Sequence, residues 1–179
     1  MRVCPGTLGG QEWSGSAYDE KLNLLIVPAT DWRAEFNKDT RPPDPEKEHT
    51  HGWFFGGETK FDAWSAARGR LTAFDASTGK EKWRYDAAKP MIAGVTATAG
   101  DLIFTGEMNG NLLAFDARTG KVLLRSALGG PPAGGVVTYN ARGVQNLAII
   151  SGFVGVYNMV APDIGGGNTT VTIFRLPGR

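Results

Sequence analysis

The sequence holds few groups that could do chemistry, and their spacing limits what they can do. Its two histidines, His49 and His51, stand one residue apart beside Glu46 and Glu48. Such a set could hold a divalent metal if its loop folded back on itself, but solvated side chains are the expected state in so charged a stretch. No nucleophile, histidine and acid are arranged for acyl transfer, since both histidines fall in one loop. Cys4 is the single cysteine. That excludes an internal disulfide and a cysteine-built metal site, and nothing near it would depress its pKa. Gly56-Gly57 and Gly165-Gly166-Gly167 lack the strand–loop–helix setting of a phosphate cradle and read as turns.

The elements that must position any site are constrained by composition. The chain has 179 residues, 41% hydrophobic and 21% charged, enough for one domain with a core of its own. Lys and Arg number 19 against 18 Asp and Glu, a net charge of +1. This balance gives no electrostatic footprint for nucleic acid or an anionic membrane. No apolar run approaches the ~20 residues that span a bilayer. Met1 to Gly10 has one Arg and no apolar stretch, so no signal peptide is read in this chain. The 25 glycines and 10 prolines imply dense turns and short elements, against a helical bundle.

An internal repeat organises the rest. Leu71-Thr-Ala-Phe-Asp-Ala-Ser-Thr-Gly-Lys80 returns 41 positions later as Leu112-Leu-Ala-Phe-Asp-Ala-Arg-Thr-Gly-Lys121. That period falls within the ~40–45 residues of a four-stranded propeller blade. Each copy reads as a strand, a tight Asp-x-x-Thr-Gly turn and a second strand. Asp can accept from the amides ahead of it, and Gly supplies the left-handed position. Hairpins precede each copy, around Gly94 to Gly106, Gly134 to Ser151 and Leu8 to Val27. Three units follow, at 8–86 with an insertion at 31–70, at 94–126 and at 134–176. The fold class is all-β, with about three four-stranded propeller blades, the last incomplete. Asp31 to Arg70 is expected as a long insertion loop, and Phe153 to Asn168 also breaks the period.

Ala73-Phe-Asp-Ala-x-Thr-Gly-Lys80-x-x-Trp83 resembles the tryptophan-docking repeat of the quinoprotein alcohol dehydrogenases, which use pyrroloquinoline quinone (PQQ). Gly94-Val-Thr-Ala-Thr-Ala-Gly-Asp-Leu-Ile-Phe-Thr-Gly106, Asn109-Gly110, Gly134-Gly-Val-Val-Thr-Tyr139, Ser151-Gly152 and Gly165-Gly-Gly-Asn-Thr-Thr-Val-Thr-Ile-Phe174 resemble the C-terminal blades of that family in the same order. The resemblance implies part of an eight-bladed propeller, a periplasmic setting, an alcohol substrate, an electron acceptor, and PQQ over a calcium ion. In that chemistry the cofactor takes the hydride and a carboxylate serves as base. No segment here resembles the family's calcium ligands, and the base cannot be placed in this chain. Glu12-Trp13 stands where the family often carries an Asn-Trp pair against PQQ. Ile92 stands where many members have a pocket tryptophan, and Phe153 falls where the last blade approaches the cofactor. Trp83 is expected as a packing residue between blades; the second copy has Leu124 in its place.

Two function classes follow. One is the C-terminal portion of a PQQ- and calcium-dependent alcohol dehydrogenase, supplying pocket wall and inactive alone. The other is a non-catalytic propeller scaffold that binds protein. Because three blades leave open sheet edges, the expected partners are the remaining blades or a second copy of the chain.

Overall fold

The computed structural model describes residues 1–38, 40, 57–152 and 154–175. After β1 (Arg2–Val3), the first blade is a four-stranded sheet of β2 (Ala17–Asp19), β3 (Leu24–Asp31), β6 (Arg68–Asp75) and β7 (Glu81–Ala87), in that order. The second blade is β8 (Thr96–Ala97), β9 (Leu102–Glu107), β10 (Asn111–Asp116) and β11 (Val122–Ala127). The third has three strands, β12 (Pro132–Ala141), β13 (Val144–Ser151) and β14 (Thr170–Arg175). All neighbours are antiparallel. The architecture is all-β, as the repeat grammar implies.

Two stretches are more regular than their sequences suggest. Asp31 to Arg70 is not one long loop. Its ends pair directly, Asp31 with Arg68, and within it β4 (Ala34–Lys38) and β5 (Gly57–Phe61) join β1 in a small three-stranded sheet. The alternation of Gly57-Glu-Thr-Lys-Phe61, half-buried then exposed, is the strand signal hidden there. A 3-10 turn at Trp64–Ala66 follows. The second stretch, after Ser151, contains a short helix, α1 (Gly155–Val160), with Tyr157 buried. The histidine loop, including His49, His51, Glu46 and Glu48, lies outside the described residues. The exposed Cys4 thiol donates to Asp31 Oδ1 at 2.8 Å, and that acceptor pushes its pKa up rather than down.

The repeated turns do the same work twice. Asp75 accepts from the Ser77 and Thr78 amides, and Asp116 from the Arg118 and Thr119 amides. The Thr78 and Thr119 side chains, with these amide bonds, hold both carboxyls below the usual aspartate value. Gly79 and Gly120 close the turns at φ of +68° and +69°. The strands that leave them carry a bulge at the same place, so that Ala73 faces Trp83 and Ala114 faces Leu124.

Blade contacts explain the core. Leu24, Ile26, Leu71, Ala73 and Trp83 of the first blade pack on Ile103, Leu113, Phe115 and Ala117 of the second. The other face of β10 sends Leu112 into a cluster with Val136, Leu147 and Ile149 of the third. A central blade is therefore apolar on both faces, which is why Leu112-Leu-Ala-Phe115 reads as an unbroken hydrophobic run. Trp83 lies over the second turn. Its indole donates to Ala117 O at 2.9 Å and stacks beside Phe115. A Cβ on Gly120 would come within 2.5 Å of the Trp83 ring, whereas one on Gly79 would meet nothing within 4 Å.

This pair of glycines separates turn strain from docking. We expect Gly79→Ala to cost about 1–2 kcal/mol from its left-handed backbone. Gly120→Ala should lose a further ~1–3 kcal/mol by overpacking against Trp83. Trp83→Ala should cost about 3–5 kcal/mol. Urea denaturation of the three variants checks this; equal losses for the two glycines would show that the indole does not press on the turn.

Candidate functional site

Alternating strands place the connections into β2, β8 and β12, the β9–β10 turn, the β3–β6 insertion and the β13–β14 crossover at one end of the sheets. The Asp-Gly turns lie at the other end. Glu12, Trp13 and Ile92 belong to connections at the first end. A cleft of about 540 Å³ lined by Tyr18, Lys21 and Thr98 sits at the opposite end, away from these residues.

The Gly10–Ser16 segment is tied at several points. Gly10 and Thr30 exchange backbone hydrogen bonds at 3.2 and 2.9 Å, and Ser14 Oγ donates to Ala133 O at 3.2 Å. Tyr157 reaches it from α1. Its hydroxyl donates to Leu8 O at 2.9 Å and lies 3.3 Å from Glu12 Oε1, with Thr30 Oγ1 at 3.4 Å. One proton serves two acceptors here, and the shorter contact to Leu8 is the stronger. Burial pushes the Tyr157 phenol well above its ordinary value. Desolvation also raises Glu12 above the usual glutamate value, while the Tyr157 hydroxyl bond opposes that rise. On this fastened loop Trp13 is 67% exposed. Ser16 Oγ, three residues on, is buried with no partner among the described residues.

Ile92 is only 1% exposed. It packs with Trp32, Met108, Val154 and Tyr157 beneath this end, so it supports the loops rather than facing solvent. Ile92 and Glu12 thus meet through Tyr157, one by packing and the other by its hydroxyl. Phe153 lies outside the described residues. Sequence reasoning missed Tyr157 because α1 is short, uncapped by any side chain and set in a stretch without period. It also missed Lys89, whose ammonium lies 4.8 Å from the Trp64 ring centre in the same end.

Among the described residues, no group of three or more His, Cys, Asp or Glu side chains converges as a metal cage requires. The exposed indole on a tied loop offers a stacking face, and a carboxyl raised toward neutrality beside it can donate once protonated.

A family model, PQQ_2, described as outer membrane protein assembly factor BamB, matches residues 67–163, just over half of the chain. The chain belongs to the PQQ_2 family. Its curated relatives at about 30% identity are named quinoprotein alcohol dehydrogenases. The PQQ_2 chain is 31% identical over 156 residues to the quinoprotein ethanol dehydrogenase of Pseudomonas putida, covering 87% of the chain and 24% of the relative. It is 34% identical over 157 residues to a lupanine 17-hydroxylase (cytochrome c) of a Pseudomonas species, covering 87% and 21%. The quinohemoprotein alcohol dehydrogenase structure from Comamonas testosteroni superposes with a TM-score of 0.80 at 25% identity, over 100% of the chain and 28% of the neighbour. A europium-containing methanol dehydrogenase gives 0.71 at 23%, over 98% and 34%, and shares the fold. The chain spans about a quarter of the length of the curated relatives it matches. Among the described residues no helix is long and apolar enough to cross a membrane.

The Glu12–Tyr157 contact has a signed pH consequence. A carboxyl whose folded pKa is raised leaves the protein most stable below its unfolded value, and that stability is lost as pH rises through the folded value. Glu12→Gln removes the titration. We expect urea midpoints of the variant to gain on the parent as pH rises from the ordinary glutamate range toward neutrality. A constant difference from pH 4 to 8 would show that Glu12 is not desolvated.

Proposed function

We propose that this chain is part of the propeller of a PQQ-dependent alcohol dehydrogenase, that it supplies part of the cofactor's pocket wall, and that it is inactive alone. The observation that carries this reading is Trp13. A ring 67% exposed on a loop held by Gly10, Ser14 and Tyr157 is a prepared surface, since an idle exposed indole does not need that fastening. Trp13 stacks on the planar cofactor, and Glu12 lies at its edge, where its protonated form donates to a cofactor carboxylate. Ile92 backs the wall from the core, and Phe153 is assigned to the wall on the family resemblance alone. When bound, PQQ supplies the hydride acceptor for alcohol oxidation.

The catalytic base and the metal ligands belong to blades outside this chain. Calcium is the metal of the family chemistry; the solved neighbour that contains europium shows that such a fold also holds another cation. The remaining blades are the proposed partner, and the third sheet is prepared for one. Val137, Ile150, Val171 and Ile173 line up across β12, β13 and β14 on the face away from the second blade, all exposed. The periplasm is the proposed location, and an alcohol and an electron acceptor complete the assembled enzyme. The Trp83 contact on the second blade's turn supports the docking repeat.

The chain alone, given PQQ, Ca²⁺ and a short alcohol, should reduce no dye. Mixed with the remaining blades of a quinoprotein ethanol dehydrogenase, it should bind PQQ in equilibrium dialysis, and Trp13→Ala should weaken that binding about tenfold or more, the loss of a stacked ring. Dye reduction by the chain alone would overturn the reading. Complementation without PQQ binding would favour the scaffold, a reading to which the family model's description also lends weight.

A further inference from the structure

A second concavity at the same end has a chemistry of its own. It is a cavity of about 290 Å³ above the second blade, bounded by Trp64, Lys89, Met108, Asn109, Pro131 and Ile164 and by the glycines at 129, 130, 165 and 166. Its polar side chains are donors. Lys89 Nζ gives one proton to Trp64 O at 2.6 Å, which leaves two of three. Asn109 Oδ1 is taken by Asn111 Nδ2 at 2.7 Å, so its amide nitrogen remains. No carboxylate lines the cavity, and Lys89 has no ion-pair partner among the described residues.

A half-buried ammonium normally has an anion near it. Here desolvation, with the neighbouring charge of Arg68, holds Lys89 below the usual lysine value. Only the Trp64 ring face and one carbonyl compensate it. The opposite wall is apolar, through Met108, Pro131 and Ile164.

We propose that this cavity is a binding site for a small organic monocarboxylate, its carboxylate on Lys89 and Asn109 and its short tail against Met108 and Ile164. The volume lies at the lower edge of small-molecule pockets, of order 300 Å³, which suits a tail of a few carbons. The site uses neither Glu12 nor Trp13 and does not depend on the assignment of the cofactor wall.

The test uses the 179-residue chain and sodium butyrate, followed by titration calorimetry at fixed ionic strength. Butyrate should bind saturably, and butyramide, with the same tail and no charge, should not. Lys89→Met should weaken butyrate about tenfold or more, while Lys89→Arg retains binding. A readout on the unmodified chain needs no variant: butyrate, but not butyramide, should slow acetylation of Lys89 relative to other lysines in peptide mass spectra. Equal effects of butyrate and butyramide, no protection of Lys89, or unchanged affinity in folded Lys89→Met would each overturn the proposal. Protection by acidic peptides but not by butyrate would overturn it too, assigning the cation to a protein partner.

Discussion

The structure depends on one requirement: a four-stranded sheet that is apolar on both faces must be covered on both faces. Trp83 shows how the first blade meets it. The indole leaves β7, crosses the gap and lies on the Asp116–Gly120 turn of the second blade, its nitrogen bound to Ala117 O. The turn can receive the ring because its last residue has no Cβ. The same glycine supplies the left-handed backbone that closes the turn. One residue therefore satisfies a local constraint and a tertiary one, and blade order follows from where that flat surface is available.

The contact is reinforced by a buried charge. Glu107 ends β9 with no exposed surface and is bound by Arg125 Nη1 at 2.7 Å, while Arg125 Nη2 donates to Tyr85 OH of the first blade at 2.7 Å. The Lys89 amide, on the connection between the blades, donates to the other Glu107 oxygen at 3.2 Å. Such a pair adds little over an apolar one in energy, but removing Arg125 leaves the Glu107 charge desolvated, at a cost of about 3–5 kcal/mol. Its value here is register. Only one placement of the first blade's outer strand puts Tyr85 and Lys89 around Glu107.

How far this was legible in sequence follows from what each residue answers to. The Asp-x-x-Thr-Gly turns, the hairpins and the packing role of Trp83 were legible because they are local and repeated. Tyr157 was not. It lies in a six-residue helix with no periodic signal, and its bonds run to Leu8 and Glu12, at separations of 149 and 145 residues. β4 and β5 were hidden by the polar composition around them, although five residues of alternation were present. Glu12 and Trp13 came from family resemblance; the fold adds that their loop is fastened from three directions. Ile92 shows the reverse. Its position suggested a wall, and its burial places it one layer behind.

The two ends of the sheets differ in a way that bears on ligand charge. At the turn end, Asp75 and Asp116 are half-buried carboxylates held below their usual pKa by the Thr78 and Thr119 side chains and the turn amides, and Asp101 by Lys21 and Arg118. These acids cap tight turns and stay ionised. At the loop end the acids are held mainly by arginines. Asp31 is bound by Arg70, Asp62 by Arg2 and Glu107 by Arg125, while Glu12 is shifted toward its neutral form. Lys89 and Arg68 remain there as neighbouring cations. The Asp-Gly turn chemistry fixes acids at the turn end of the first two blades, while the third blade's turn carries Asn140 instead.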